Sequence, residues 1–207
     1  MNILQLDSSV LGDNSVSRNL TAAVVADLVA ANPSATVVRH DLDKDAPAHL
    51  SGHLLPVLGG PKDGLDAVQQ AELERTEAWL AELLAADVLV IGAPAYNFGM
   101  PTQLKSWFDR IAQAGRTFAY SANGPVGLTQ GKRAIVVSSR GGQRANAEAL
   151  DMHELHVDTL LRFIGVSDIT YVRAHGLAMG PDTREAGLAA ARSQVAALND
   201  AAERVAA

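Results

Sequence analysis

Two spacings of apolar residues run along this chain, and together they predict five β-strands, each followed by a helix. Residues 87–93 (Asp-Val-Leu-Val-Ile-Gly-Ala) and 134–138 (Ala-Ile-Val-Val-Ser) are nearly continuous apolar runs. Runs of this kind predict strands covered on both faces, as in a parallel sheet. Residues 3–6, 35–40 and 168–173 predict the other three. Helical stretches separate them. Residues 18–31 are rich in alanine, and residues 65–85 form a longer amphipathic stretch of Ala, Glu and Leu. Leu104, Trp107, Phe108 and Ile111 then recur at i, i+3, i+4 and i+7, one face of a helix. Pro101 is placed to occupy the first position of that helix, where a missing N–H costs nothing. Gly115 is placed to end it as a left-handed cap. Two further helices are expected over 150–164 and 183–205. Residues 41–64 read as a loop with short helical turns. Asn123-Gly124 signals a turn, and with it a hairpin or excursion over 116–131.

Strands that alternate with helices imply an α/β fold, a parallel sheet with helices on both faces. One domain is expected for 207 residues, spanning 1–207. Five strands suit the flavodoxin-like, doubly wound order 2-1-3-4-5, in which ligands bind beyond the carboxyl ends of the strands where the order reverses. Three unusual segments fall there. Residues 7–17 contain Ser8, Ser9, Ser15 and Ser17 around Gly12. Ser15 or Ser17 caps the next helix. Hydroxyls beside a helix N-terminus also form an anion site, because free N–H groups and the dipole point the same way. Capping alone needs only one serine, so both readings stand. The segment has neither the G-x-G-x-x-G nor the G-x-x-x-x-G-K-[ST] pattern. Residues 94–100 carry Tyr96, Asn97 and Phe98. Ser139-Arg140-Gly141-Gly142 either lets backbone approach a ligand closely or forms a plain turn.

Composition sharpens this picture. Six of the nine aromatic residues lie between Tyr96 and Tyr120, which is either a local core or a flat-ring site. A net charge of −6 with no basic run argues against nucleic acid and anionic membranes as partners. The absence of cysteine excludes disulfides, thiolate metal sites and a cysteine nucleophile. The N-terminus enters its first strand without a basic region, so no signal peptide is expected, and a cytoplasmic location is. A ligand with a phosphate at one end and a flat ring at the other suits three such loops. Flavin mononucleotide (FMN) is the natural candidate, with the redox chemistry carried by the flavin and no side chain required as acid or base.

The chain resembles the FMN-dependent NADH-azoreductases, also described as NADH:quinone oxidoreductases. The matching segments are S-S-x(5)-S-V-S at 8–17, P-A-Y-N-F-G-M-P-T-Q-L-K-S-W-F-D at 94–109, A-G-R-T-F-A-Y at 114–120 and N-G-P-V-G-L at 123–128. S-S-R-G-G at 138–142 and F-I-G-V at 163–166 extend the match through nearly the whole chain. The resemblance implies a homodimer and a ping-pong cycle from NADH or NADPH to a quinone or azo acceptor. FMN contacts would be Ser9, Ser15, Val16 and Ser17, then Ala95, Tyr96, Asn97 and Phe98, then Ser139, Arg140, Gly141 and Gly142. Phe98, Tyr120 and Phe163 would line the substrate pocket, with the other subunit one source of Phe163. Val16 departs from the usual polar residue, and Ala95 from a larger apolar one.

Rival readings are weaker. A low-molecular-weight phosphatase needs a cysteine. A receiver domain needs an acidic cluster after strand one, where Asp7 stands alone. His153-Glu154-Leu155-His156 is H-E-x-H, not the H-E-x-x-H that sets two imidazoles on one helical face, so no metal is expected. Ser138 or Ser139 paired with a histidine lacks the G-x-S-x-G elbow of an esterase. The live alternatives are a flavodoxin-like electron carrier and a flavin reductase without azo activity. Arg140 and Arg116 are the candidates for a 2′-phosphate contact.

Overall fold

The computed structural model describes residues 1–143 and 151–206, with side chains described through Leu198. Its five-stranded sheet consists of β1 (Asn2–Asp7), β2 (Thr36–Asp41), β3 (Val88–Pro94), β6 (Arg133–Ser139) and β7 (Asp168–Ala174). They lie in the order β2-β1-β3-β6-β7, and every pairing is parallel. Counted among these five alone, that is the expected 2-1-3-4-5. Between β3 and β6 a hairpin of β4 (Phe118–Ser121) and β5 (Gly124–Gly127) stands apart from the sheet. It turns on Ala122 and Asn123, with Gly124 at φ 106°.

The apolar runs bury both faces because alternate side chains point to opposite sides. Leu89 and Ile91 of β3, with Ala134 and Val136 of β6, face α3 (Ala67–Ala85), α4 (Thr102–Ile111) and α5 (Met152–Ile164). Val88 and Val90, with Ile135 and Val137, face α1 (Val16–Ala31) and α6 (Pro181–Ala206). A short helix, α2 (Leu55–Gly59), interrupts the irregular stretch before α3. Asp66 and Gln69 form a capping box that starts α3: Asp66 Oδ1 accepts from the N–H groups of Val68 and Gln69, both at 2.9 Å, and Gln69 Oε1 accepts from the Asp66 N–H at 2.9 Å. Among the described residues no helix is long and apolar enough to cross a membrane.

Two expected helix boundaries move. Pro101 is the residue before the first turn of α4, so the helix opens at Thr102. The helix closes at Ile111 rather than near Gly115, because the Thr117 hydroxyl donates to the Ile111 carbonyl at 2.7 Å and so satisfies an end group that a left-handed glycine cap would otherwise serve. Gly115 is left-handed, at φ 76°, but it serves the next turn, donating its N–H to the Phe118 carbonyl at 2.7 Å. The start expected at Leu150 lies outside the described residues.

The hairpin is seated on α5 through two glycines. A Cβ added at Gly127 would come within 2.1 Å of the Gly165 nitrogen, and Gly165 itself caps α5 at φ 107°. Backbone lies against backbone here, so a methyl group has no room to move aside. Gly127→Ala is expected to lower stability by about 2 kcal/mol, read as a shift in the urea midpoint. An unchanged midpoint would show that the hairpin is not packed in this way.

Candidate functional site

Parallel pairing brings the ends of β1, β3 and β6 to one edge of the sheet, with Asp7 beside Gly92 and Pro94 beside Ser139. Hydrogen bonds then join the loops that leave this edge. Ser8 Oγ donates to the Gly92 carbonyl at 2.6 Å. The Tyr96 hydroxyl accepts from the Val10 N–H at 3.2 Å and bonds Ser9 Oγ at 3.1 Å. The Ala95 N–H donates to the Ser139 carbonyl at 2.8 Å. Tyr96 is thereby tied to the Ser9 loop, and its neighbour Ala95 to Ser139.

The hydroxyl loop is held from behind by charge. Arg18, in the first turn of α1, donates to both carboxylate oxygens of Asp41, at 2.7 and 2.8 Å, and to the Ser9 carbonyl at 3.3 Å. The Arg18 hydrogen bond holds the Asp41 carboxyl below its ordinary range, and the same bond raises the guanidinium. Ser15 is the helix cap, since its Oγ accepts from the Arg18 N–H at 3.2 Å. Ser17 lies inside the helix, buried, with its Oγ 3.1 Å from that of Ser15. The Val16 and Ser17 N–H groups stand in the first turn, where the helix itself offers no acceptor.

Residues 96–99 make a turn in which the Tyr96 and Gly99 N–H groups each donate to the other's carbonyl, at 2.9 and 3.0 Å. Its two central residues, Asn97 at φ 48° and Phe98 at φ 68°, are left-handed. Asparagine tolerates this region, but phenylalanine rarely adopts it. The Phe98 ring is 75% exposed and lines the cavity mouth.

Two cavities meet at the sheet edge and share Ala95, Arg140 and Gly141. The inner one, about 240 Å³, takes Ser9, Ser15, Val16, Tyr96 and Ser139 of the expected residues. The outer one, about 480 Å³, takes Asn97, Phe98 and Gly142. Ser17, Tyr120 and Phe163 line neither. Tyr120 packs edge-on against Phe118, which also touches Phe163 with centroids 4.4 Å apart. Sequence reasoning missed Asn14, Leu177, Ala178 and Arg184 in the inner cavity, and Met152 and His153 in the outer. Leu177 and Ala178 follow β7, whose carboxyl end the strand-order rule does not single out. Their loop is tied in by Leu177 and Ala178 N–H bonds to the carbonyls of Arg140 and Gly141.

Ser138 Oγ does bond His153 Nε2, at 2.9 Å, but Ser138 is fully buried and its oxygen has no path to a substrate. Glu154 is held by Arg173 at 3.0 to 3.2 Å. Among the described residues, the one group of three or more His and carboxylate side chains close enough for a metal is Asp151, Glu154 and His175, which includes neither histidine of H-E-x-H. Arg140 and Arg173 already match the charges of its two carboxylates.

A doubly wound parallel sheet with a hydroxyl loop, an aromatic turn and a glycine pair at its switch point defines the flavodoxin-like class. A family profile described as a flavodoxin-like fold matches residues 1–198. The chain is 76% identical over 200 residues to FMN-dependent NADH:quinone oxidoreductase 1 of Cupriavidus pinatubonensis, covering 97% of each. It is 74% identical over 201 residues to FMN-dependent NADH:quinone oxidoreductase of Cupriavidus necator, covering 97% of this chain and 98% of the relative. Among solved structures, azoreductase from Bacillus anthracis superposes with a TM-score of 0.84 at 26% identity, over 97% of this chain and 99% of that one. The chain belongs to the flavodoxin-like family that includes these FMN-dependent NADH:quinone oxidoreductases.

Two outcomes follow from this geometry. Because the folded Asp41 carboxyl ionises at lower pH than it does unfolded, its contribution is present at neutral pH and is lost as pH falls below about 4 and through the folded value. Asp41→Ala should cost about 3 kcal/mol at pH 7 and flatten part of the acid limb of the stability curve. An acid limb identical to wild type would contradict the assignment. Phe98→Gly should relieve the left-handed strain and raise the stability of the flavin-free protein by about 1 kcal/mol. A lower thermal midpoint would show the turn to be unstrained.

Proposed function

We propose that this chain is an FMN-dependent NADH:quinone oxidoreductase that also reductively cleaves aromatic azo compounds, in a ping-pong cycle. The observation that carries the reading is the pair of joined cavities, one walled by hydroxyls and a helix N-terminus, the other opening beneath an exposed aromatic ring. The first suits a phosphate and polyol chain, and the second a flat ring with room for a second flat molecule above it. The residues fit FMN: Ser9, Ser15 and the N–H groups of Val16 and Ser17 offer donors for the phosphate. Gly141 and Gly142 line the outer cavity, and among the described residues their N–H groups donate to no backbone carbonyl, so they offer donors for the ring end. FMN held by these residues would supply two-electron redox chemistry between a nicotinamide and the acceptor.

This chain's residues bind, orient and exclude water. Phe98 offers a face for stacking an aromatic acceptor, since ring pairs prefer offset or edge-on contact. Donor and acceptor use the same opening in turn, which is the reason for a ping-pong order. NADH is favoured over NADPH because both candidate 2′-phosphate arginines are engaged, Arg140 with Asp151 and Arg116 with Glu77 at 3.1 Å. A homodimer is part of the proposal. Met152, Leu155, Tyr120 and Val126 expose large apolar side chains, and Tyr120 and Phe163 lie outside both cavities of their own chain. In a dimer these aromatics would complete the partner's substrate pocket. A cytoplasmic setting, where NADH is supplied, suits this chemistry.

The test is to saturate the purified protein with FMN, remove the excess and add NADH without oxygen. The yellow colour is expected to stay with the protein and bleach fully, then return on adding a quinone or an azo dye. Retained flavin that does not bleach would point to an electron carrier. Flavin that washes away would refute the site.

A further inference from the structure

We infer that Arg184 is the cation that recognises the phosphate of the bound flavin, so that this chain selects FMN over riboflavin by charge and not by neutral donors alone. The inference rests on the FMN reading of the site. Arg184 lines the inner cavity together with Ser9, Asn14, Ser15 and Val16, the residues of the hydroxyl loop and helix N-terminus. Its Nη1 donates to the Leu177 carbonyl at 3.2 Å, which anchors the guanidinium on the cavity wall. A guanidinium has five N–H donors, so this bond leaves others for an anion. Among the described residues Arg184 forms no ion pair, whereas the nearby cations are engaged: Arg18 with both oxygens of Asp41, and Arg140 with Asp151.

Its place in the fold points the same way. Arg184 lies in the opening turn of α6, which starts at Pro181. A cation at a helix N-terminus works against the helix dipole, and an anion beside it reverses that cost. The chain as a whole carries −6, so its general field opposes the approach of a phosphate dianion. The hydroxyl loop supplies donors without charge. One guanidinium lining the same cavity supplies the charge, and guanidinium–phosphate hydrogen bonds are stronger than neutral ones.

The experiment is a pair of titrations of the full chain, freed of flavin by dialysis, with FMN and with riboflavin. Flavin fluorescence quenching is read at low salt and at high salt. Arg184→Ala should weaken FMN binding about tenfold and leave riboflavin binding unchanged. The difference should shrink at high salt, and Arg184→Lys should keep most of the FMN affinity. Equal loss for FMN and riboflavin, or an Arg184→Ala protein that binds FMN like wild type, would overturn the inference while leaving the FMN site standing. A wild-type protein that binds neither flavin would overturn the FMN reading and the inference with it.

Discussion

Everything at the candidate site depends on the parallel pairing of β3 with β6. Seven residue pairs from Val88↔Arg133 to Pro94↔Ser139 bring the two strands to a common end. Both strands are buried on both faces, so a slip of one residue would exchange the apolar sets facing α1 and α6 with those facing α3, α4 and α5. That constraint places the Ala95 N–H against the Ser139 carbonyl and sets the two loops that leave these strands side by side. β1 adds the third loop, and the Tyr96 hydroxyl closes the arrangement by bonding the hydroxyl loop at Ser9 and Val10.

A rigid base of this kind can carry a strained turn. Phe98 is left-handed and exposed, a conformation that costs free energy without repaying it in burial. Its neighbours over-determine it: the reciprocal Tyr96–Gly99 backbone bonds close the turn, and Tyr96 is tied to the first loop. The arrangement holds an aromatic face at the cavity mouth, so a molecule stacking on it would require less ordering of this turn.

Charge is arranged with similar economy. Arg18 and Asp41 brace the hydroxyl loop from behind, Arg140 and Asp151 sit at the junction of the two cavities, and Arg173 matches buried Glu154. Each such pairing matches a cation's charge with a carboxylate. Arg184 differs in that it lines the inner cavity and, among the described residues, bonds a carbonyl and no carboxylate. The electrostatic character of the site therefore follows from which arginines the fold has already paired.

The sequence by itself determined the five strands, their flanking helices, the strand order and the three loops at the switch point. These follow from the period of apolar residues and from local turn chemistry, which neighbouring residues settle among themselves. It also narrowed the cap to Ser15 or Ser17, of which the structure shows Ser15, and named about half of the residues that wall the two cavities. Only the tertiary structure decided what meets across long separations. Gly115 was legible as left-handed but not as a turn residue beyond the helix, because the Thr117 hydroxyl had to fold back onto Ile111. Tyr96 was legible as an aromatic in the loop after a strand's carboxyl end, but its hydroxyl bond to Ser9 exists only once β1 and β3 lie side by side. Leu177, Ala178 and Arg184 gave no comparable local signal, since their place on the inner wall depends on β7 ending beside β6 and on the backbone bonds that draw its loop over Arg140 and Gly141. Periodicity is a property of the chain, whereas the meeting of distant side chains depends on register, strand order and the packing that holds both.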